Sequence, residues 1–187
     1  MKKILFFVCI VSLAGIAGLG AQENAAVKAI INHYAARNFF SGAVNQADLD
    51  LILQAAIHSP SAANRQPWHF TVVQNMDLAR RIIPNISDGN VLIVISAPGD
   101  GKTNGGQILD CGLAAQSVYL AAQALGLGSR IYTGPVDGVN SQLKPALSLP
   151  SGHSVVVIVR IGRVQPIDAV SAASARNSLD KLVSYKK

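Results

Sequence analysis

The stretch from Asp110 to Leu127, DCGLAAQSVYLAAQALGL, is small or apolar at almost every position. A helix of this composition has no face to give to water. It must be enclosed in a core or pressed against another chain. Gly126 and Gly128 provide its stop. So few polar residues on the central helix argue for a dimer whose interface completes the core. A monomer that encloses the helix by itself is the other solution.

The flanking sequence supplies the remaining layers. Asn24 to Ala36 has helical apolar spacing at Val27, Ile30, Ile31 and Tyr34. Asn45 is placed to cap a second helix, reaching His58, with Leu49, Ile52, Leu53 and Ala56 on one side. His69–Val73 alternates as a strand, and Asp77 to Ile83 fits a short helix. Two β-branched runs, Val91–Ser96 and Ser154–Ile161, read as buried strands. A glycine-rich loop covers Ala97 to Gly106, a short strand Arg130 to Tyr132, and a short helix Asn140 to Leu147. The polar tail after Asp168 ends in SLDKLVSY, which fits an edge strand or a helical turn. Few strands among many helices make an α+β layered domain.

The first residues stand apart. MKK followed by ILFFVCIVSLAGIAGLG, with small residues before a cut after Ala21, has the layout of a secretory signal peptide rather than of a lasting membrane span. Residues 1–21 are therefore expected to be a signal peptide and 22–187 one domain, exported to the periplasm or beyond. The formal charge of +6 falls to +4 once Lys2 and Lys3 are removed. With sparse aromatic residues and no extended basic cluster, nothing reads as a nucleic-acid surface. One cysteine remains in the domain, Cys111, so no internal disulfide can form there, and its setting suits a small buried residue. The four histidines show no metal-ligand spacing.

The loop SPSAANRQPWHF, Ser59 to Phe70, is polar and stiffened by Pro60 and Pro67. A plain turn would use glycine. In order along the chain lie ARNF (Ala36–Phe39), this loop, DCGLAAQSVYLAAQALGLGS, VVVIVRIGR (Val155–Arg163) and SARNSLDKLV (Ser174–Val183). That order and spacing resembles the nitroreductase family of FMN-dependent oxidoreductases, over nearly all of residues 22–187. The resemblance implies a layered α+β fold, an antiparallel or mixed central sheet flanked by helices, and the long apolar helix at a homodimer interface. It implies FMN in a cleft shared by both chains, reduced by a nicotinamide cofactor and reoxidised by a nitroaromatic, a quinone or a similar acceptor.

The resemblance also implies site residues. The loop supplies Pro60, Ser61, Ala62, Asn64 and Gln66 to the flavin rim, its Pro-Ser-Ala portion coming from the partner chain. Small side chains let backbone approach a flat ring, and Asn64 can donate and accept at once, which suits the ring edge or bracing of the loop. Gln66 fits either role, and Trp68 fits core packing. The phosphate is expected at an early Arg-x-Ser-x-Arg segment and a late Lys/Arg pair. Here the early segment holds His33, Ala35 and Arg37, and the late one Ser174 and Arg176. Two firm cations and a histidine remain where the family has more, which weakens the grip on phosphate. Asp137 and Gly138, in GPVDG, fall where the family brings backbone N–H groups to the flavin; a surface turn is the alternative. No catalytic side chain is expected, because the flavin carries the chemistry. A non-catalytic exported flavin-binding module on the same fold is the competing function.

Overall fold

The computed structural model describes residues 24–165 and 175–186, so the expected signal peptide and Ser174 lie outside the described residues. The elements run α1 (Ala25–Ile31), β1 (Phe39–Phe40), α2 (Gln46–Ile57), β2 (His69–Val73), α3 (Met76–Ile82), β3 (Val91–Pro98), α4 (Gly105–Ala124), β4 (Gly128–Tyr132), α5 (Val136–Gln142), β5 (His153–Val164) and α6 (Leu179–Leu182). Two short 3₁₀ turns lie at Ala62–Asn64 and Lys144–Leu147. The strands form one sheet, ordered β1-β5-β3-β2 with β4 also on β5, and every pair is antiparallel.

β3 is buried from Val91 to Ala97 because helices cover both sides of the sheet. Alternate residues sort by face. Ile93, Ile95, Val157, Val159 and Ile161 meet Leu49 and Ile52 of α2 and Ala114, Ala115 and Val118 of α4. Leu92, Val94 and Ile158 meet Ala79 and Ile82 of α3, Val139 of α5 and Leu147. Each sealed Leu or Ile contributes about 1.5–3 kcal/mol of burial. The result is the layered α+β domain expected, here with helices on both faces of the sheet. Among the described residues no helix is long and apolar enough to cross a membrane.

Three of the departures from the sequence expectation have a clear local reason. α1 stops at Ile31 rather than Ala36, because the side-chain amide of Gln123 brackets Tyr34, accepting from its N–H at 3.1 Å and donating to its C=O at 2.9 Å. Ala36 N–H then donates to Ser129 O at 3.0 Å, so residues 33–37 run extended beside α4 and β4. α4 begins at Gly105, five residues before Asp110, since the Asn104 side chain caps it by accepting from Gln107 N–H. The helix expected at Asn140–Leu147 starts earlier, as α5 at Val136, and finishes as the 3₁₀ turn.

α4 is sealed along one side only. Cys111, Ala114, Ala115, Val118 and Ala122 are buried, while Leu109 is 62% exposed and Gly112 is open. Among the described residues, nothing covers the outer side of this apolar helix. Leu51 and Ile57 of α2, half exposed, leave further apolar surface uncovered.

Candidate functional site

The first cluster forms at the C-terminal end of α4. Tyr34 and Ala36 point inward, which turns His33, Ala35 and Arg37 toward the accessible side, the period-two pattern of an extended segment. The His33 ring, bonded through Nδ1 to Ile30 O, meets the Tyr119 ring edge-on with centroids 5.4 Å apart. Burial pushes the Tyr119 phenol above its ordinary pKa, against the lowering pull of Gln123 and of the Arg176 guanidinium. Tyr119 thus meets the His33 ring of the early segment and feels the charge of Arg176 from the late one. A cavity of about 370 Å³ opens beside His33, lined also by Asn32, Tyr34, Gln123 and Leu127. An imidazole beside an open cleft can donate to a phosphate, and the exposed Arg37 lies four residues on in the same segment.

The second cluster is the loop Ser59 to Pro67, at the N-terminal half of α4. Ser59 Oγ donates to Ser117 Oγ at 2.7 Å, and Ala62 N–H donates to Asp110 Oδ1 at 3.1 Å. Ala63, Asn64 and Gln66 adopt left-handed backbone, with φ of 52°, 53° and 47°. Asn tolerates this region; for the Ala and Gln it costs about 1–2 kcal/mol each. The turn is held by its own bonds. Ser61 Oγ accepts from Gln66 N–H at 3.0 Å, and Asn64 N–H donates to Ser61 O at 3.0 Å. Gln66 Nε2 donates to Asn64 Oδ1 at 3.1 Å, so the Gln66 amide braces the loop. Pro60, Ala62 and Asn64 remain exposed, and Trp68 packs against the core beside Phe70, as expected of it.

Within one chain the two clusters do not meet. The left-handed turn is anchored at Asp110 and the early segment at Gln123, thirteen residues and about 20 Å further along α4 at 1.5 Å rise, although the entry of the loop reaches Ser117. Asp137 and Gly138 join neither. They lie exposed in the first turn of α5, on the opposite face of the sheet from α2 and α4, and Asp137 pairs with Lys102 at 2.8 Å.

Sequence reasoning missed the residues that organise both ends. Gln123 and Tyr119 hide in an apolar run, where they read as helix filler. Asp110 carried a signal: it is the one acid in that run. It is 2% exposed, and among the described residues its Oδ2 has no hydrogen-bond partner.

Comparisons with known proteins identify the family and the fold. The model of the nitroreductase family matches two overlapping stretches, residues 30–93 and 84–163. A protein of Methanothermobacter thermautotrophicus, named as an NADH dehydrogenase/NAD(P)H nitroreductase, is 31% identical over 146 residues, 73% of this chain and 75% of that one. A nitroreductase structure from Desulfovibrio desulfuricans, in complex with FMN, superposes with a TM-score of 0.73 at 26% identity, covering 89% of this chain and 99% of that one. The FMN-bound nitroreductase structure from Desulfitobacterium hafniense has the same fold, with a TM-score of 0.74 at 22% identity over 89% of this chain and all of that one. With the family model running from α1 into β5 and a relative above 30% identity across most of the chain, this protein belongs to the nitroreductase family.

Proposed function

We propose that the protein is an FMN-dependent oxidoreductase that works as a homodimer, taking electrons from a reduced donor and passing them to a nitroaromatic, a quinone or a similar acceptor. The observation that carries this reading is the split site. The early segment is held at Gln123 and the left-handed turn at Asp110, thirteen residues apart on one helix whose outer side no described residue covers. Two copies packed antiparallel along α4 bring the loop of one to the cations of the other. The FMN-bound relatives and the relative named for NAD(P)H support the cofactor and donor by family.

Each residue then has a stated job. Arg37 and Arg176 grip the phosphate through charge-assisted bonds, with His33 adding a donor. Pro60, Ser61, Ala62 and Asn64 of the second copy line the ring with backbone and one amide, and Gln66 keeps Asn64 aimed. Bound FMN supplies hydride acceptance and electron release, so no protein acid or base is required. Asp137 and Gly138 reach such a site only if the second copy brings it to the α5 side. The N-terminal segment supports export, where nicotinamide is scarce; a reduced quinone or a partner protein then serves as donor.

One observation favours a second reading, a flavin-binding module without turnover. His33 and Ala35 stand where the family pattern has arginine and serine. Losing one or two charge-assisted contacts, each worth about 1.5–3 kcal/mol, weakens FMN roughly tenfold to several hundredfold.

Purified protein titrated with FMN is expected to turn yellow. Under anaerobic conditions NADH, NADPH or a reduced quinone should bleach it, and a quinone or nitroaromatic should restore the colour. Flavin that binds but never bleaches establishes the second reading. The double variant Arg37→Ala/Arg176→Ala should raise the FMN Kd at least about a hundredfold. Unchanged affinity in that variant would place the phosphate elsewhere.

A further inference from the structure

We propose that Asp110 is a positioning residue, which pins the rim loop in its left-handed turn and so sets the loop's approach to the flavin; the flavin part rests on the reading above. The carboxyl is buried in the apolar side of α4, yet it spends one oxygen on a single backbone N–H, that of Ala62, 48 residues upstream. Its other oxygen has no partner among the described residues. Buried polar atoms are normally paired, so an orphan on an otherwise apolar helix marks a group retained for what its first oxygen does. What that oxygen does is local. Ala62 directly precedes Ala63, the residue whose φ of 52° and ψ of 28° an alanine rarely adopts.

The loop's remaining bonds are internal to it: Ser61 with Gln66, Ser61 with Asn64, Gln66 with Asn64, Arg65 with Ala62. They fix its shape and not its place. Ser59 Oγ on Ser117 Oγ fastens the loop before it turns. The Ala62–Asp110 bond is what fastens the turn itself to the scaffold. Strain of this kind persists only where the surroundings over-determine it, and it gathers at ligand sites. Without Asp110 the left-handed Ala63 is free to relax, and Ala62 and Asn64 leave their places.

Four variants test this. Asp110→Ala removes the acceptor. Asp110→Asn keeps its shape and an acceptor oxygen. Ala62→Pro removes the donor at the first position of a 3₁₀ turn, where proline is tolerated, and after Ser61, whose φ of −143° and ψ of 154° suit a following proline. Asp110→Ala/Ala63→Gly frees the left-handed position of its side-chain penalty. Two readouts are taken: FMN Kd with the visible circular dichroism of bound flavin, and the rate of tryptic cleavage after Arg65 in flavin-free protein, with cleavage after Arg81 as internal reference.

Asp110→Ala should weaken FMN about tenfold or more, alter the flavin dichroism and speed cleavage after Arg65 but not after Arg81. Asp110→Asn should stay within about threefold of the parent. The added Ala63→Gly should recover part of the lost affinity. Ala62→Pro should behave as Asp110→Ala does, and it decides the matter where Asp110→Ala fails to fold. Parental cleavage and affinity in Asp110→Ala and Ala62→Pro overturn the proposal. So does a loss of affinity with no change at Arg65 and no recovery by Ala63→Gly. If the parent protein takes up no FMN, the oxidoreductase reading falls, and the cleavage rates alone decide the role of Asp110.

Discussion

Cys111 and Asp110 are neighbours on α4, and both are sealed from water, but they stand in opposite relation to the site. The Cys111 side faces the sheet among Ala114, Ala115 and Val118. Burial, reinforced by the Asp110 carboxyl, pushes its thiol up to about 11. The thiolate is the nucleophile, so at neutral pH the group is chemically silent as well as inaccessible. Iodoacetamide at pH 8 should leave Cys111 unmodified in the folded protein and alkylate it fully in guanidinium, as read by peptide mapping. Labelling of the folded chain at the rate of a free thiol would contradict the packing described for α4. Asp110 is equally buried, yet its bond leaves the core and reaches the loop. The two were unequally legible for a physical reason. A small apolar cysteine in a small apolar run announces burial, whereas an acid there announces only that something must compensate it.

At the scale of elements, the long periodic pieces could be read from sequence and the short connecting ones could not. α2 and β3 declare themselves through Asn45 and through a β-branched run that two helical layers then cover. β1 has two residues, too few for any pattern, and it exists because Phe39 and Phe40 find Val164 and Arg163 across the sheet. The early end of α1 is set by the Gln123 amide, 89 residues away, which no local propensity reveals. The rim loop was legible in its prolines and polar residues, but its left-handed turn was not, since Ala63 is not a residue that advertises one. The junction beneath the early segment turns on two glycines, Gly128 and Gly162, which face each other across β4 and β5. A Cβ on Gly162 would lie 2.4 Å from Asn90 Cγ. Asn90 in turn donates to Phe40 O at 3.1 Å and accepts from the buried Arg160 at 2.8 Å, while the Arg160 guanidinium stacks 4.0 Å over Phe39. Gly162→Ala must displace Asn90 and loosen β1 with it. The expected cost is about 1–3 kcal/mol in chemical denaturation. An unchanged midpoint would show that Asn90 has room to move.

The whole molecule poses the question of what covers α4. Leu109, Gly112, Leu51 and Ile57 leave apolar surface open on the two helices that flank the rim loop, and the site residues fall into two groups that one chain keeps apart. A second copy answers both facts at once. Leu109→Lys should therefore shift the protein from dimer to monomer in sedimentation, and FMN affinity should fall with it, although Leu109 belongs to neither cluster. A monomeric variant that keeps parental affinity would mean that the site is built within one chain. Subunit exchange makes the distinction sharper. Take one chain with Arg37→Ala/Arg176→Ala and another with Asn64→Ala/Gln66→Ala. Each homodimer carries the same lesion in both of its sites and should bind FMN poorly. In the mixed dimer, one site gathers both lesions, and the other pairs intact cations from the second chain with an intact loop from the first. Mixing the two poor binders should then restore flavin binding at half the sites of every mixed dimer. If each chain supplied its own cations and its own loop, no arrangement of the two could restore any.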